Sequence, residues 1–192
     1  MCAPPFSTPS RPRWNGPRSW PKENPARSSA TQADVEIRPM TPEDIDEFLD
    51  LFEVVAAERI YIGAEAPIDR EDRRARFVHT LESTKYQSLV AIAAGRLVGQ
   101  IGLKDMRGLI DIGMLVAPDM RGRGIGKALL QAGIDWARSH GAHKMTLQVW
   151  PHNQAARELY AKFGFIEEGY LTRQWKRRNG EIWDAVVMGL LL

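Results

Sequence analysis

A glycine-rich turn between a strand and a helix is the feature that most constrains this chain. The apolar run over residues 110–116 predicts a strand, and the run from Lys127 onward predicts a helix. Between them lies Arg121-Gly122-Arg123-Gly124-Ile125-Gly126-Lys127. The backbone N–H groups of such a turn converge on one point, and the helix dipole adds positive potential there. The segment therefore predicts a binding site for a phosphate or pyrophosphate.

Two common phosphate-binding motifs do not fit this turn. A P-loop needs Ser or Thr after its lysine, whereas Lys127 is followed by Ala128. A dinucleotide fingerprint needs a third glycine where this chain has Lys127 or Leu129. The remaining alternative is a tight turn that binds nothing. Two arginines among three alternating glycines argue against that alternative.

The pattern Arg/Gln-x-x-Gly-x-Gly/Ala does fit, and it resembles the acetyl-CoA pyrophosphate loop of the GNAT superfamily of N-acetyltransferases. The preceding segment, residues 116–120, is similar to that family as well. A second block, residues 150–165, contains Asn153, a tyrosine seven residues later and a Gly-Phe pair. The resemblance covers roughly residues 35–192. It is strongest to the branch that acetylates amino acids, ribosomal-protein N-termini, phosphinothricin-type compounds or polyamines.

Hydrophobic periodicity and turn residues predict the element order β-α-α-β-β-β-α-β-α-β-β over residues 35–192. This order predicts an α/β (α+β) domain in which a mixed sheet of about seven strands carries about four helices on both faces. The family resemblance implies the same GNAT-like fold. Gly113 interrupts a strand, and the resemblance implies that it forms a bulge which splays two parallel strands apart. Crowding of Gly113 by a core aromatic is the alternative.

Residues 1–34 have a different composition from the rest. The first 30 residues hold seven of the 12 prolines, with Arg and Ser between them, so we expect a disordered extension. A start site upstream of the domain would also explain this segment. The net charge is +2 and the first 30 residues contribute +4, which leaves −2 for the rest. The basic balance therefore does not predict a nucleic-acid partner.

Cysteine and histidine usage excludes several kinds of site. The single cysteine is Cys2, so the chain forms no internal disulfide and has no cysteine metal cluster. The four histidines lack metal-ligand spacing, and we expect no metal. No apolar run approaches the length of a membrane span, so we expect a cytoplasmic protein without a membrane partner.

The resemblance implies that acetyl-CoA is the co-substrate. Its pyrophosphate would lie on the glycine-rich loop, and its pantetheine arm would pair with the strand before the loop. Asn153 would bond the arm, with capping of its own helix as an alternative or additional role. The implied cofactor-binding residues are Met114, Leu115, Val116, Arg121, Gly122, Arg123, Gly124, Ile125, Gly126, Lys127, Asn153 and Tyr160.

Transfer of an acetyl group to an amine needs a base, an oxyanion donor and an acid for the leaving thiolate. Tyr160 matches the tyrosine of the family that acts as the acid; core packing is the alternative. Asp111 lies where some relatives carry a glutamate, so it is a candidate base, and a surface or salt-bridged acid is the alternative. Glu65 is a second candidate base. A backbone N–H near Met114 or Leu115 is the candidate oxyanion donor.

The family resemblance implies that the acceptor site is built from the loop after the first helix and from the last two strands. Tyr61, Glu65, Arg173 and Trp175 are the candidate acceptor-binding residues. Trp175 and Trp183 are expected to flank each other across a hairpin that turns at Asn179-Gly180. Four basic residues lie around this turn, and we expect them to form a solvated hairpin tip, with attraction of a substrate carboxylate as the alternative. They are Arg173, Lys176, Arg177 and Arg178.

These residues predict an N-acetyltransferase that moves the acetyl group of acetyl-CoA directly to a primary amine in a ternary complex. The acceptor would be a small molecule such as an amino acid, or a protein N-terminus. A non-catalytic acyl-CoA sensor or assembly module of the same fold is the alternative. A homodimer is expected because dimers are common among the relatives.

Overall fold

The computed structural model describes residues 35–192, so the expected disorder of residues 1–34 lies outside the described part. The observed order of helices and strands confirms the order expected from the sequence. The strands are β1 Val35–Pro39, β2 Tyr86–Ala93, β3 Arg96–Asp105, β4 Leu109–Val116, β5 Lys144–Val149, β6 Ile166–Lys176 and β7 Ile182–Leu191. The helices are α1 Ile45–Ala57, α2 Arg70–Glu82, α3 Ile125–Ser139 and α4 Gln154–Lys162.

The seven strands form one mixed sheet in the order β1-β2-β3-β4-β5-β7-β6. Every neighbouring pair is antiparallel except β4 and β5, which are parallel. A parallel pair needs a crossover connection, and α3 provides it. The parallel pairing is short: it runs from Leu109↔Lys144 to Asp111↔Thr146 and then stops.

Helices cover both faces of the sheet, as expected. Strand β3 is buried without interruption from Leu97 to Ile101. Because side chains alternate between the faces of a strand, such a run needs cover on both sides. Helix α3 covers one face, where a Cβ on Gly99 would come within 2.9 Å of the Leu129 side chain. This confirms the layered arrangement.

The start of α1 is fixed by a buried carboxylate. Asp44 accepts a hydrogen bond of 2.7 Å from the Thr41 N–H, and two of 2.7 and 2.8 Å from the Arg38 guanidinium. Arg38 lowers the pKa of Asp44. The pair joins β1 to the entrance of α1, and so sets where the helix lies on the sheet. Helix α2 begins at Asp69, whose side chain accepts from the Asp72 N–H.

The prediction of a bulge at Gly113 is wrong. The β3–β4 ladder runs without a register shift from Gly99↔Val116 to Asp105↔Ile110. The alternative also fails, since a Cβ at Gly113 would meet nothing within 4 Å. Strands β4 and β5 part after Asp111↔Thr146, while β4 stays on β3 as far as Val116 and β5 stays on β7 as far as Val149.

The last two strands form the expected hairpin. Its turn contains Asn179-Gly180, and the Gly180 N–H donates to the Arg177 carbonyl at 2.9 Å. Trp175 and Trp183 are directly paired, which confirms that they flank each other. Across residues 35–192, none of the helices combines the length and apolar character that crossing a bilayer requires.

Candidate active site

The gap between β4 and β5 leaves backbone groups of β4 without a strand partner. The Ala117 N–H donates to Val98 of β3 at 2.8 Å. Since hydrogen-bonding directions alternate along a strand, the groups of Met114 and Val116 point the other way, toward the gap. In agreement, Arg121 Nε reaches the Val116 carbonyl from that side at 3.2 Å. Leu115 differs, because it pairs with Gln100 and packs in the core.

The glycine-rich loop ends at the N-terminus of α3. Gly122 and Gly124 have φ of +73° and +83°, a region that favours glycine. The Ala128 N–H makes the first helical bond, to the Gly124 carbonyl at 3.0 Å. The N–H groups of residues 125–127 thus have no acceptor within the helix. Within residues 35–192 they also find none elsewhere, so these donors and the helix dipole can serve an anion.

The start of α3 lies directly against the gap. A Cβ on Gly126 would come 3.3 Å from Leu159, 3.6 Å from Met114 and 3.8 Å from Val116. Helix α3 therefore packs against both β4 and α4 at this point. The free strand edge and the anion-binding loop are consequently parts of one continuous surface.

A groove between α3 and α4 continues this surface. Its volume is about 660 Å³, and three basic residues stand among apolar ones along it. It is lined by Lys127, Gln131, Ile134, Arg138, Leu159, Lys162 and Phe163. Such a groove can accept an elongated, negatively charged ligand.

Arg121 is engaged with protein rather than facing the groove. Its guanidinium donates to both carboxylate oxygens of Glu58 at 2.8 and 2.6 Å, and it lies 4.2 Å from the Tyr61 ring centroid. Glu58 raises the pKa of Arg121. Arg123 and Lys127 are exposed, and neither forms a salt bridge with any residue from 35 to 192. The charge available to a phosphate is therefore that of Arg123 and Lys127.

Tyr160 lies on α4 and is buried in the domain interior, and Asn153 immediately precedes the first residue of α4. Tyr160 is 7% exposed, and its ring centroid lies 5.6 Å from that of Phe165. Burial raises the pKa of Tyr160 to about 12, so its hydroxyl keeps its proton at neutral pH. Asn153 caps α4 by accepting from the Ala156 N–H at 3.3 Å. The capping role of Asn153 is thus confirmed.

Asp111 lies where β4 and β5 part. It is paired with Thr146 in the last step of the parallel ladder and with Lys104 in the β3–β4 ladder. Burial raises the pKa of the Asp111 carboxyl, and Lys104 opposes this effect. A carboxylate with a raised pKa holds a proton more readily than an ordinary aspartate, which suits a general base.

The face of the sheet opposite α3 is partly uncovered at Gly113, and this opening is called the cleft below. Val116 and Met114 turn toward Gly126, so Asp111 and Gly113 turn to the other face. Gly113 is exposed even though β4 is the central strand, and exposure there marks an opening in the cover of the sheet.

The segment between α1 and α2 is held against the β6–β7 hairpin by Arg177. This guanidinium donates to the carbonyls of Ile62 and Gly63 at 3.3 and 3.2 Å, and it pairs with Glu65 at 3.4 Å. Arg177 is only 5% exposed, so the expected solvated hairpin tip is wrong for this residue. Glu65 is also buried, and it accepts from the Arg178 N–H at 2.9 Å. Its carboxylate is occupied in joining the two segments.

Aromatic rings line the same region. Trp150 lies edge-on to Trp183 at 5.3 Å and to Trp175 at 6.3 Å between ring centroids. Trp175 remains 44% exposed, and its indole N–H donates to Gln148 Oε1 at 3.2 Å. His152 Nε2 lies 3.1 Å from the Ile60 carbonyl, which ties the cluster to the loop.

The structure thus brings three of the four predicted acceptor residues to one region: Tyr61, Glu65 and Trp175. Arg173 lies apart on a bulge in β6, with φ of +55° and its N–H donating to Asp184 at 2.6 Å. Sequence reasoning missed Glu58, Gln148 and His152. No local pattern marks these residues, because their partners are distant in sequence. Across residues 35–192, no three His, Cys, Asp or Glu side chains are arranged to hold a metal ion.

Comparison with known proteins identifies the family. Residues 48–165 match the model of the acetyltransferase (GNAT) family. The chain is 32% identical to L-methionine sulfoximine/L-methionine sulfone acetyltransferase of Pseudomonas aeruginosa, over 78% of this chain and 90% of that protein. It is 28% identical to phosphinothricin N-acetyltransferase of Streptomyces coelicolor, over 80% of this chain and 94% of that protein.

Solved structures agree with this fold. Ribosomal-protein-alanine N-acetyltransferase from Brucella melitensis superposes with a TM-score of 0.75 at 26% identity, covering 82% of this chain and 98% of that one. A phosphinothricin acetyltransferase from Sinorhizobium meliloti, solved in complex with AcCoA, superposes with a TM-score of 0.74 at 20% identity, covering 82% and 88%. With its matched motifs and sheet order, this chain belongs to the GNAT family of N-acetyltransferases.

Proposed function

We propose that this protein transfers the acetyl group of acetyl-CoA directly to the primary amine of an amino-acid-like acceptor. One observation carries the proposal. Strands β4 and β5 part after Asp111↔Thr146, and the free edge of Met114 and Val116 adjoins the unpaired N–H groups that begin α3. A strand edge for an amide-containing arm thus lies beside a loop suited to a pyrophosphate.

The residues present fit acetyl-CoA. The N–H groups of residues 125–127 would hold the pyrophosphate, and Arg123 and Lys127 would add positive charge. Met114 and Val116 would pair with the pantetheine arm, and the Asn153 side-chain NH₂ is a further donor toward it. Leu115 and the Arg121 side chain contribute indirectly, because the first packs in the core and the second pairs with Glu58. Bound acetyl-CoA supplies a thioester that an amine can attack.

Three groups of this chain would handle charge and protons during transfer. The Met114 N–H points into the gap and can stabilise an oxyanion, a role that Leu115 cannot take because its backbone faces β3. Asp111 can remove a proton from the amine, directly or through a water. Tyr160 would donate its phenolic proton to the departing thiolate. No metal is needed for these steps.

An amino-acid-like acceptor is supported by the relatives and by the cleft. The two curated relatives described above are named for acetylation of methionine sulfoximine or phosphinothricin, which are amino-acid-like compounds. The cleft on the Asp111 side offers a carboxylate for the ammonium group and aromatic rings at its border. A protein N-terminus as the acceptor and a homodimer are expected from the family resemblance, and a cytoplasmic location is expected from the sequence.

The test is release of CoA from acetyl-CoA in the presence of amino acids, methionine sulfoximine, phosphinothricin, polyamines and N-terminal peptides. Acetyl-CoA binding is measured by calorimetry on the same preparation. Turnover with the amino-acid-like compounds is the expected result. Tight binding without turnover on any amine would favour a non-catalytic sensor, and no binding would overturn the cofactor assignment.

A further inference from the structure

Two glycines face each other in the centre of the sheet. Gly102 of β3 and Gly113 of β4 are directly paired. Directly paired residues point to the same face, so both glycine positions share the face of Asp111 and Lys104, the pair next along the ladder on that face. This is the open face, where Gly113 is exposed.

Neither glycine is required by its own backbone conformation. Gly102 and Gly113 are not among the glycines with positive φ. A Cβ on Gly113 would meet nothing within 4 Å, and one on Gly102 would meet only Gln100 Nε2 at 3.2 Å and the Gly113 carbonyl at 3.9 Å. Gly99 on the opposite face contrasts with them, because a Cβ there would clash with Leu129 at 2.9 Å.

Glycine inside a strand lowers stability relative to alanine. Gly113 has no packing or conformational reason to be glycine, and Gly102 has no conformational one, although a Cβ there would press on Gln100 Nε2. Side by side, they remove side chains from the middle of an open face. The result is a shallow trough with defined ends. Asp111 lies at one end, and at the other lies Gln100, which is 6% exposed and donates to Ser88 Oγ at 2.7 Å. The trough floor is therefore backbone, and its ends are polar.

We propose that Gly102 and Gly113 form the floor of the acceptor site and set how bulky the substituent beside the reacting amine can be. With the amine at Asp111, the side chain of an amino-acid-like acceptor lies along the trough toward Gln100. The inference rests on the proposed function, because it assigns a specificity role to the same cleft.

The experiment measures kcat/KM for a series of α-amino acids and their amides, from alanine to methionine to phenylalanine. Gly113→Ala and Gly102→Ala each place one methyl group in the trough. One methyl in a pocket changes discrimination by about tenfold or more. We expect both variants to lose activity on the bulkier acceptors about tenfold more than on alanine, with acetyl-CoA affinity unchanged by calorimetry.

Gly169→Ala is the matched control, since Gly169 lies on β6 with open space around its Cβ position and an ordinary φ. Its acceptor preference should equal that of the unmodified protein. Unchanged preference in both trough variants, with turnover retained, would overturn the inference while leaving the proposed function intact. Absence of turnover on every amine by the unmodified protein would instead overturn the proposed function. If Gly113→Ala loses acetyl-CoA binding, the acceptor preference of Gly102→Ala decides whether the inference holds.

Discussion

Arg121 and Glu58 join the glycine-rich loop to the segment that follows α1 through a two-pronged ion pair. The two hydrogen bonds measure 2.8 and 2.6 Å, although the residues are 63 positions apart in sequence. The same guanidinium caps the Val116 carbonyl and stacks on Tyr61. One side chain therefore connects the end of β4, the glycine-rich loop and the segment that leads into the acceptor region.

Glu58→Gln should weaken this connection, because it removes the charge while keeping nearly the same side-chain shape. A partly exposed ion pair contributes up to about 1 kcal/mol, so the melting temperature should fall by about 2–4 °C. Because the neutral amide holds Tyr61 and the segment that follows α1 less firmly, KM for the amine should rise more than the acetyl-CoA Kd. Steady-state kinetics and calorimetry measure the two quantities. Arg76→Gln, which breaks an exposed pair with Asp72, is the control; an equal rise in both constants would contradict the positioning role.

Tyr160→Phe should separate catalysis from folding. The ring stays in place beside Phe165, so stability and acetyl-CoA affinity should hardly change. The proton donor is lost, and general acids contribute about 10²–10⁴-fold to rate. Turnover should therefore fall by about 100-fold or more. Turnover equal to that of the unmodified enzyme would assign the acid role to another group.

Asp111→Asn should have opposite effects on activity and stability. Burial raises the folded-state pKa of Asp111. At pH values between the pKa of Asp111 in the unfolded chain and its higher pKa in the folded protein, the folded protein binds more protons than the unfolded chain. The free energy of unfolding therefore decreases as the pH rises through this range. Asn cannot ionise, so the variant should melt higher than the unmodified protein at pH 7, and the difference should vanish below the unfolded pKa.

The same titration predicts the pH dependence of activity. A base must be deprotonated, so kcat/KM should fall on the acid side as Asp111 gains its proton, at a pH above that of an ordinary aspartate. Asp111→Asn should lose most of the activity and this acid limb with it. An unchanged acid limb in the variant would show that another group is the base. Thermal melts from about pH 3 to 8 and kinetics over the part of this range in which the protein stays folded supply both measurements.

Gly122→Ala should strain the cofactor loop. The residue has φ of +73°, and left-handed backbone costs a non-glycine residue about 1–2 kcal/mol. Gly141→Ala is the matched control, with φ of +70° and, like Gly122, nothing within 4 Å of its Cβ position. Both variants should melt at a similarly lowered temperature, but only Gly122→Ala should bind acetyl-CoA more weakly in calorimetry. Equal affinity in the two variants would remove Gly122 from the binding loop.

Removal of residues 1–30 should leave acetyl transfer intact. Their composition predicts an extension outside the catalytic domain, and the family match begins at residue 48. Turnover of the truncated protein on an accepted amine is the measurement. An inactive but folded truncation, by circular dichroism, would show that the extension takes part in the reaction.

Short-range patterns were enough to predict the order of the elements and the position of the anion-binding loop. The strand at Leu109–Val116 and the helix beginning after Gly124 follow from residues that are neighbours in sequence. The same holds for the Asn179-Gly180 hairpin and for Asn153 as the cap of α4. Each depends on backbone conformations that glycine, asparagine and alternating apolar residues favour locally. The catalytic roles of Tyr160 and Asp111 stay predictions.

Long-range pairing decided the rest. In the sequence, nothing distinguishes Arg121 and Arg177 from the solvated basic residues beside them. In the structure, each turns toward partners about 60 to 115 residues away. Strands β4 and β5 separate while β3 and β7 hold them, and no bulge at Gly113 accompanies the separation. Sequence alone therefore determined which backbone could bind an anion. Tertiary structure decided which charges remain free to do so and which face of the sheet is open at Gly113, because both depend on contacts between residues far apart along the chain.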